Sequence, residues 1–157
     1  DARALGRTAS GVRGINIEED DEVVGMITYD PTAEDAAAHS ILVVSENGFG
    51  KRSDFDEYRK TNRGGKGVKT LNITEKTGAL VAMKNVTDEN DLMIINKSGL
   101  TIRMAVSDIR VAGRATQGVK LINIKEGDSI AAISAVNKSE EDTPVQPAEQ
   151  VNEENNE

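Results

Sequence analysis

From residue 41 to 104 the apolar positions fall in short runs separated by turn residues. I-L-V-V at 41–44 is followed by S-E-N-G and then F-G-K-R at 49–52, while L-M-I-I at 92–95 is followed by N-K-S-G and then L-T-I-R-M at 100–104. Asn-Gly or Ser-Gly between such runs is a hairpin signal, so strands are predicted at 41–44 with 49–52 and at 92–95 with 100–104. A second pattern lies downstream of each hairpin. V-K-T-L-N-I at 68–73 precedes A-L-V-A-M at 79–83, and V-K-L-I-N-I at 119–124 precedes S-I-A-A-I at 129–133. Alternation of apolar and polar residues around the turns at 74–78 and 125–128 predicts a further pair of half-buried strands, giving four strands per unit.

The units repeat. R-T-A-S-G-V-R-G-I-N-I at 7–17 recurs as R-G-G-K-G-V-K-T-L-N-I at 63–73 and as R-A-T-Q-G-V-K-L-I-N-I at 114–124. The shared pattern is R-x-x-x-G-V-[RK]-x-[IL]-N-I, with offsets of 56 and 51 residues. The longer first interval fits the connection at 30–40, where Asp30 followed by Pro31 allows a short helix. A period near 50 residues with four strands per unit predicts an all-β array of propeller-like blades, each covering its neighbour's apolar face. The first copy keeps its strands but has no opening hairpin, so about two and a half blades are expected over residues 1–136, with an unpaired strand edge.

Composition narrows the chemistry. With 157 residues, 37% hydrophobic and 29% charged, the chain suits one ordinary soluble domain with a core of Val, Ile, Leu, Met and Ala, there being two Phe, two Tyr and no Trp. No Cys is present, which excludes disulfides, thiolate zinc sites and cysteine nucleophiles and agrees with a reducing cytoplasm. No apolar run approaches the roughly 20 residues that span a bilayer, so no membrane is expected. The start at Asp1, without a signal peptide, reads as a piece of a longer parent.

A net charge of −8 argues at first against nucleic acid, because affinity for DNA comes from cations neutralising phosphates. The distribution reverses this. Residues 137–157 hold seven acids and one Lys, and read as a disordered acidic tail. The remaining 136 residues carry 18 basic and 20 acidic side chains. Within 51–69, seven basic residues stand against three acids, whereas E-E-D-D-E at 18–22 is wholly acidic. A polyanion meets this local sign, not the total.

Candidate chemistry is therefore anion binding. The R-x-x-x-G-V loop places Arg63, Lys66 and Lys69 beside glycines that allow unusual dihedrals and close approach of backbone N–H groups to a phosphate. The alternative is structural: Gly11, Gly67 and Gly118 turn the chain into a strand, and Arg7, Arg63 and Arg114 support neighbouring blades. Lys51, Arg52, Arg59 and Lys60 flank D-F-D-E-Y at 54–58, and any one of them alone reads as part of a solvated charged loop. His39, the single histidine, has no companion at metal-ligand spacing and reads as a loop residue. The acidic run lacks calcium-loop spacing, the P-loop pattern fails at Lys60 and Gly67, and no nucleophile stands beside a base, so no cofactor, small-molecule substrate or catalytic residue is assigned.

Four strings, L-G-R-T-A-S-G-V-R-G at 5–14, N-G-F-G-K-R at 47–52, N-R-G-G-K-G-V at 62–68 and G-R-A-T-Q-G-V-K-L-I at 113–122, resemble the final blades of the C-terminal domain of bacterial DNA gyrase A. The resemblance extends to about Val136. It implies a six-bladed β-pinwheel in which strands are exchanged between blades, and whose rim wraps duplex DNA without reading sequence. It also implies a cytoplasmic parent, an ATP-dependent type II topoisomerase that introduces negative supercoils, with the rest of gyrase A and the gyrase B protein as partners. The family's signature box, Q-R-R-G-G-[RK]-G, appears here as T-N-R-G-G-K-G at 61–67, with Thr61 and Asn62 replacing Gln and the first Arg. The family's nucleophilic tyrosine belongs to another domain, so Tyr58 is expected on the rim or in packing. With the resemblance, the basic side chains are expected at phosphates: Arg7, Arg13, Lys51, Arg52, Arg63, Lys66, Lys69, Arg103, Arg114 and Lys120, along one rim. The related C-terminal domain of topoisomerase IV and a kelch-like or WD-repeat protein-interaction scaffold are the alternatives. The missing Trp weighs against the scaffold.

Overall fold

The computed structural model describes residues 3–138. Their architecture is two antiparallel sheets built on the two predicted hairpins. Strands β1 (Ser40–Ser45) and β2 (Phe49–Ser53) form the first hairpin, and β4 (Asn90–Asn96) and β5 (Thr101–Ala105) the second. Between the hairpins runs β3 (Leu80–Val86); after them come the two-residue β6 (Val119–Lys120) and the long β7 (Ile130–Asn137). The sheet orders are β3-β1-β2-β6 and β5-β4-β7. Each sheet breaks register at the same repeat position, Val44/Ser45 and Ile95/Asn96.

β1 explains why I-L-V-V is continuous rather than alternating. Leu42 and Val44 face a core shared with the second sheet, together with Val86, Leu92, Ile94, Val106, Ile109, Ile122, Ile130 and Ile133. Ile41 and Val43 face the opposite side, with Leu71 and the partly buried Phe55, Tyr58 and Met83. A strand covered on both faces needs apolar residues at every position. Each such side chain contributes about 1.5–3 kcal/mol on burial.

The later strand pair differs from the sequence expectation. V-K-T-L-N-I and V-K-L-I-N-I do not pair with the strands that follow them. Instead β6, at the head of the third copy, adds to β2 of the preceding unit, with Phe49 opposite Lys120 and Gly50 opposite Val119. β3 and β7 close back on β1 and β4. The third R-x-x-x-G-V copy thus leaves its own blade and finishes a neighbour's, because the open hydrogen-bonding edge belongs to the preceding hairpin. The first copy forms no strand at all. Ile15 makes one isolated bridge to Gly65, and no described hairpin lies before it to accept a ladder. The helix expected from Asp30-Pro31 is reduced to a single 3₁₀ turn at Ala36–Ala38. Asp30 caps no helix; its Oδ1 accepts bonds from the Thr32 N–H (2.9 Å) and hydroxyl (2.7 Å) in a local turn. Of the predicted tail, Asn137 closes β7 opposite Asn90 and Lys138 Nζ donates to Asp88 O, while residues 139–157 lie outside the described part.

Candidate functional site

The three motif copies are joined by one recurring backbone clasp. Gly64 N–H donates to Gly14 O at 2.7 Å and Asn16 N–H to Gly65 O at 2.9 Å. One repeat later, Ala115 N–H donates to Thr70 O at 3.1 Å and Asn72 N–H to Thr116 O at 2.9 Å. Parallel bridges Ile15 with Gly65 and Leu71 with Thr116 sit between these bonds. The glycine that ends each loop holds positive φ: 78° at Gly11, 80° at Gly67 and 76° at Gly118. At Gly118 a Cβ would also lie 2.6 Å from Gly50 O, so no other residue fits where β6 crosses onto β2. In the second and third copies the N–H after the motif Arg is thus engaged by the preceding copy, and its role is structural, not that of an anion ligand.

The clasp decides where the charges meet. Bonding of Gly64 to Gly14 sets Arg63 beside Arg13, and bonding of Ala115 to Thr70 sets Arg114 beside Lys69. Arg13, Arg63, Lys66 and Lys69 are exposed. Each junction therefore places a basic residue of one copy next to a basic residue of the following copy along the bonded backbones, which concentrates positive charge at the clasp. Arg114 also has a structural task. Its Nε donates to Glu57 O at 2.7 Å and one terminal nitrogen to Lys69 O at 3.0 Å, which brackets the 3₁₀ turn Phe55–Glu57 against the loop. Arg7 and Lys120 are exposed too, Lys120 on the outer strand β6. Arg103 is exposed and its Nε donates to Asp91 at 2.6 Å.

Lys51 and Arg52 stand apart from this surface. Both are buried, with 1% and 5% exposure. The segment 106–114 of the next unit lies over them: Ala112 N–H bonds Arg52 O, and Ser53 Oγ donates to Ala112 O. Lys51 Nζ donates to Gly113 O at 2.6 Å, and its burial pulls the ammonium pKa below 10.5. Arg52 donates to Ser40 Oγ, Asp88 Oδ1, Val106 O and Ile109 O. In this fold neither head group can reach a phosphate outside. A charged pair at the end of a hairpin strand reads as solvated; only the covering segment, about sixty residues on, makes it internal.

Further residues were not singled out by charge or spacing. Asn16 and Asn72 close the clasp, and the only trace of this in the sequence is that N-I recurs in all three copies. Lys76 lies over Phe49 at 5.3 Å. Tyr58 packs inward and its hydroxyl pairs with Thr70 Oγ1, as expected of a packing residue. His39 is more than a loop residue: Nδ1 lies 2.8 Å from Asn85 Oδ1 and Nε2 3.2 Å from Asp35 Oδ2, tying the 30–39 connection to β3. Both partners raise its pKa, Asn85 the more. Among the described residues no cluster of three or more His, Cys, Asp or Glu could hold a metal ion, and no helix is long and apolar enough to cross a membrane.

A family described as "DNA gyrase C-terminal domain, beta-propeller" matches residues 1–30, 39–87 and 90–137. The DNA gyrase A protein of Staphylococcus epidermidis is 47% identical over 139 residues, covering 88% of this chain, and that of Staphylococcus aureus is 46% identical over 140 residues, covering 89%. The chain spans 15% of the length of these relatives. Among solved structures, a DNA gyrase A C-terminal domain superposes with a TM-score of 0.74 at 23% identity, covering 85% of this chain and 44% of that one. The C-terminal domain of a DNA topoisomerase IV gives 0.73 at 22% identity, covering 87% and 41%.

Proposed function

Because the chain belongs to the DNA gyrase C-terminal β-propeller family, we propose that it is a non-catalytic module that binds duplex DNA through its phosphates and wraps it for a parent gyrase. The parent would be an ATP-dependent type II topoisomerase of the bacterial cytoplasm, introducing negative supercoils and working with the remainder of gyrase A and with the gyrase B protein. Topoisomerase IV is the less favoured parent, since the relatives at 46–47% identity are gyrase A proteins.

The observation that carries this reading is the recurrence of basic residues at successive backbone clasps, Arg13 and Arg63 at one and Lys69 and Arg114 at the next. The clasps fix the backbones that carry these cations, and the exposed side chains among them can turn together towards one phosphate. Side chains that meet phosphates carry no sequence information, hence binding is indifferent to sequence. Each lost contact lowers the slope of log K against log salt by roughly 0.9. Bending a short duplex by 40–90° costs on the order of 1–6 kcal/mol, so one clasp cannot hold a bend and several must act along the array. The exposed members of the track are Arg7, Arg13, Arg63, Lys66, Lys69, Arg103 and Lys120, with the half-buried Arg114 between them.

The test is the double substitution Arg63→Glu with Lys66→Glu, measured on linear duplexes at two salt concentrations and by end-to-end energy transfer. Weaker binding on all sequences with less bending is expected, and Glu19→Lys with Asp20→Lys should not weaken binding. A folded Arg63/Lys66 variant that binds and bends DNA like the parent removes this loop from the track.

A further inference from the structure

We infer that the connection 30–39 is a strap that His39 latches to β3 while its imidazole carries two protons and releases when one is lost. The inference does not depend on the DNA-binding reading. None of the strap's residues is buried, those of the 3₁₀ turn Ala36–Ala38 included. Its backbone bonds run between its own residues: Ala33 N–H to Asp30 O, Ala36 N–H to Ala33 O, Ala38 N–H to Asp35 O and His39 N–H to Ala36 O. A segment with no buried apolar contacts and self-contained bonds opens at low cost while the sheets stay closed. At its start Tyr29 is fixed by stacking on Phe55, with ring centroids 3.7 Å apart, and at its end the chain enters β1 at Ser40. Between these anchors the strap is tied down by the Tyr29 hydroxyl, which donates to Ala36 O at a long 3.5 Å, and by His39.

Both ring nitrogens of His39 face acceptors. Nδ1 lies 2.8 Å from Asn85 Oδ1, and Nε2 lies 3.2 Å from Asp35 Oδ2. An amide oxygen and a carboxylate only accept, so the two bonds coexist only when both nitrogens carry hydrogen, which is the imidazolium. A neutral ring must turn one lone pair on an oxygen. The Asn85 amide cannot turn over to relieve this, because its Nδ2 donates to Thr28 O at 3.5 Å and the exchange would set oxygen against oxygen there. Loss of a proton therefore breaks either the tie to β3 or the brace to Asp35 inside the strap.

The charges around the ring act in the same direction. Asp30 and Asp35 line the cleft of about 360 Å³ in which His39 sits, together with Tyr29 and the uncharged Asn85, and among the described residues no Lys or Arg lines it. Asp30 accepts both bonds from Thr32, which hold its carboxyl below the usual carboxylate range, so it is ionised at neutral pH. On β3 the neighbouring Lys84 stands opposite Leu42 and faces the other side of the sheet. Arg52, which donates to Ser40 Oγ, is paired with Asp88. The His39 pKa accordingly lies above 6.5, raised first by the Asn85 bond and then by Asp35 against the lowering effect of burial. The latch is closed below the folded value and opens as pH rises through it.

Nuclear magnetic resonance of the full 157-residue chain between about pH 6 and 8.5 tests this. The His39 ring nitrogens report the proton, and exchange of the Ala38 and His39 amides, corrected for its intrinsic dependence on pH, reports the strap. Ring and strap are expected to change with one midpoint above 6.5, strap protection falling by about tenfold while β1 and β4 keep theirs. Asn85→Ala removes the seat on β3, so the ring midpoint should fall towards 6.5 and the strap should be open already at the acid end. Asp35→Asn offers a donor to Nε2, so a neutral ring can keep both partners and the strap should stay closed to the top of the range. The wild-type titration decides by itself if a variant fails to fold. A strap that keeps its protection while the ring loses its proton, a wild-type midpoint at or below 6.5, or a folded Asp35→Asn chain whose strap opens as in the wild type each overturns the latch.

Discussion

Arg52 lies 2.6 Å from Asp88 across the space between β2 and the turn that follows β3, its side chain 6% exposed and that of Asp88 72% exposed. The asymmetry means that the carboxylate is in water while the guanidinium is inside, held also by the carbonyls of Val106 and Ile109. Arg52 thus fastens the segment 106–114 to the first sheet.

Replacing it should therefore cost stability before anything else. Arg52→Met strands the buried carbonyl of Ile109, while Val106 O keeps the Ile109 N–H, and is expected to destabilise the fold by about 2–3 kcal/mol. Asp88→Asn keeps an acceptor oxygen in place and should cost about 1 kcal/mol. Urea titrations give both values. Equal losses, or a stable Arg52→Met with impaired DNA binding, would contradict the internal role.

His39 makes stability depend on pH. Its folded pKa is raised above 6.5 by Asn85 and Asp35, so its contribution is complete below about 6.5 and is lost as pH rises through the folded value. Thermal melts of the wild type should fall between slightly acid and mildly alkaline pH. In His39→Gln that part of the slope should vanish.

Lys51 acts in the opposite sense. Burial lowers its pKa, so the folded state binds its proton less readily than the unfolded one, and the penalty is present at neutral pH. It is relieved as pH rises from the lowered folded value towards 10.5. Lys51→Met should be within about 1–3 kcal/mol of wild type at neutral pH, loss of the bond to Gly113 O offsetting relief of the buried charge. Its melting temperature relative to wild type should decline towards high pH.

The repeated glycines differ in what surrounds them. Gly11→Ala meets only the backbone cost of positive φ, about 1–2 kcal/mol, because no atom lies within 4 Å. Gly118→Ala adds a clash with Gly50 O at 2.6 Å and should cost more, with loss of β6 from the sheet seen as faster amide exchange at Leu121. Equal losses in the two variants would show that β6 does not depend on this close approach.

The repeat, the two hairpins with their turns and the all-β class are legible in the sequence, since each depends on neighbours within a few residues: apolar runs, Asn-Gly or Ser-Gly turns, and a recurring R-x-x-x-G-V. So is the cluster of cations around 63–69. Only the tertiary structure decides partners that lie one repeat away. Local alternation predicts that 119–124 pairs with 129–133, yet β6 joins β2, where the outer edge of the preceding hairpin is open to it. The same long-range covering turns Lys51 and Arg52 from expected surface charges into internal fasteners, while leaving Arg63 and Lys66 outside. Charge and spacing report what a side chain can bind; which of those charges face the solvent is set by the segment that comes to lie over them.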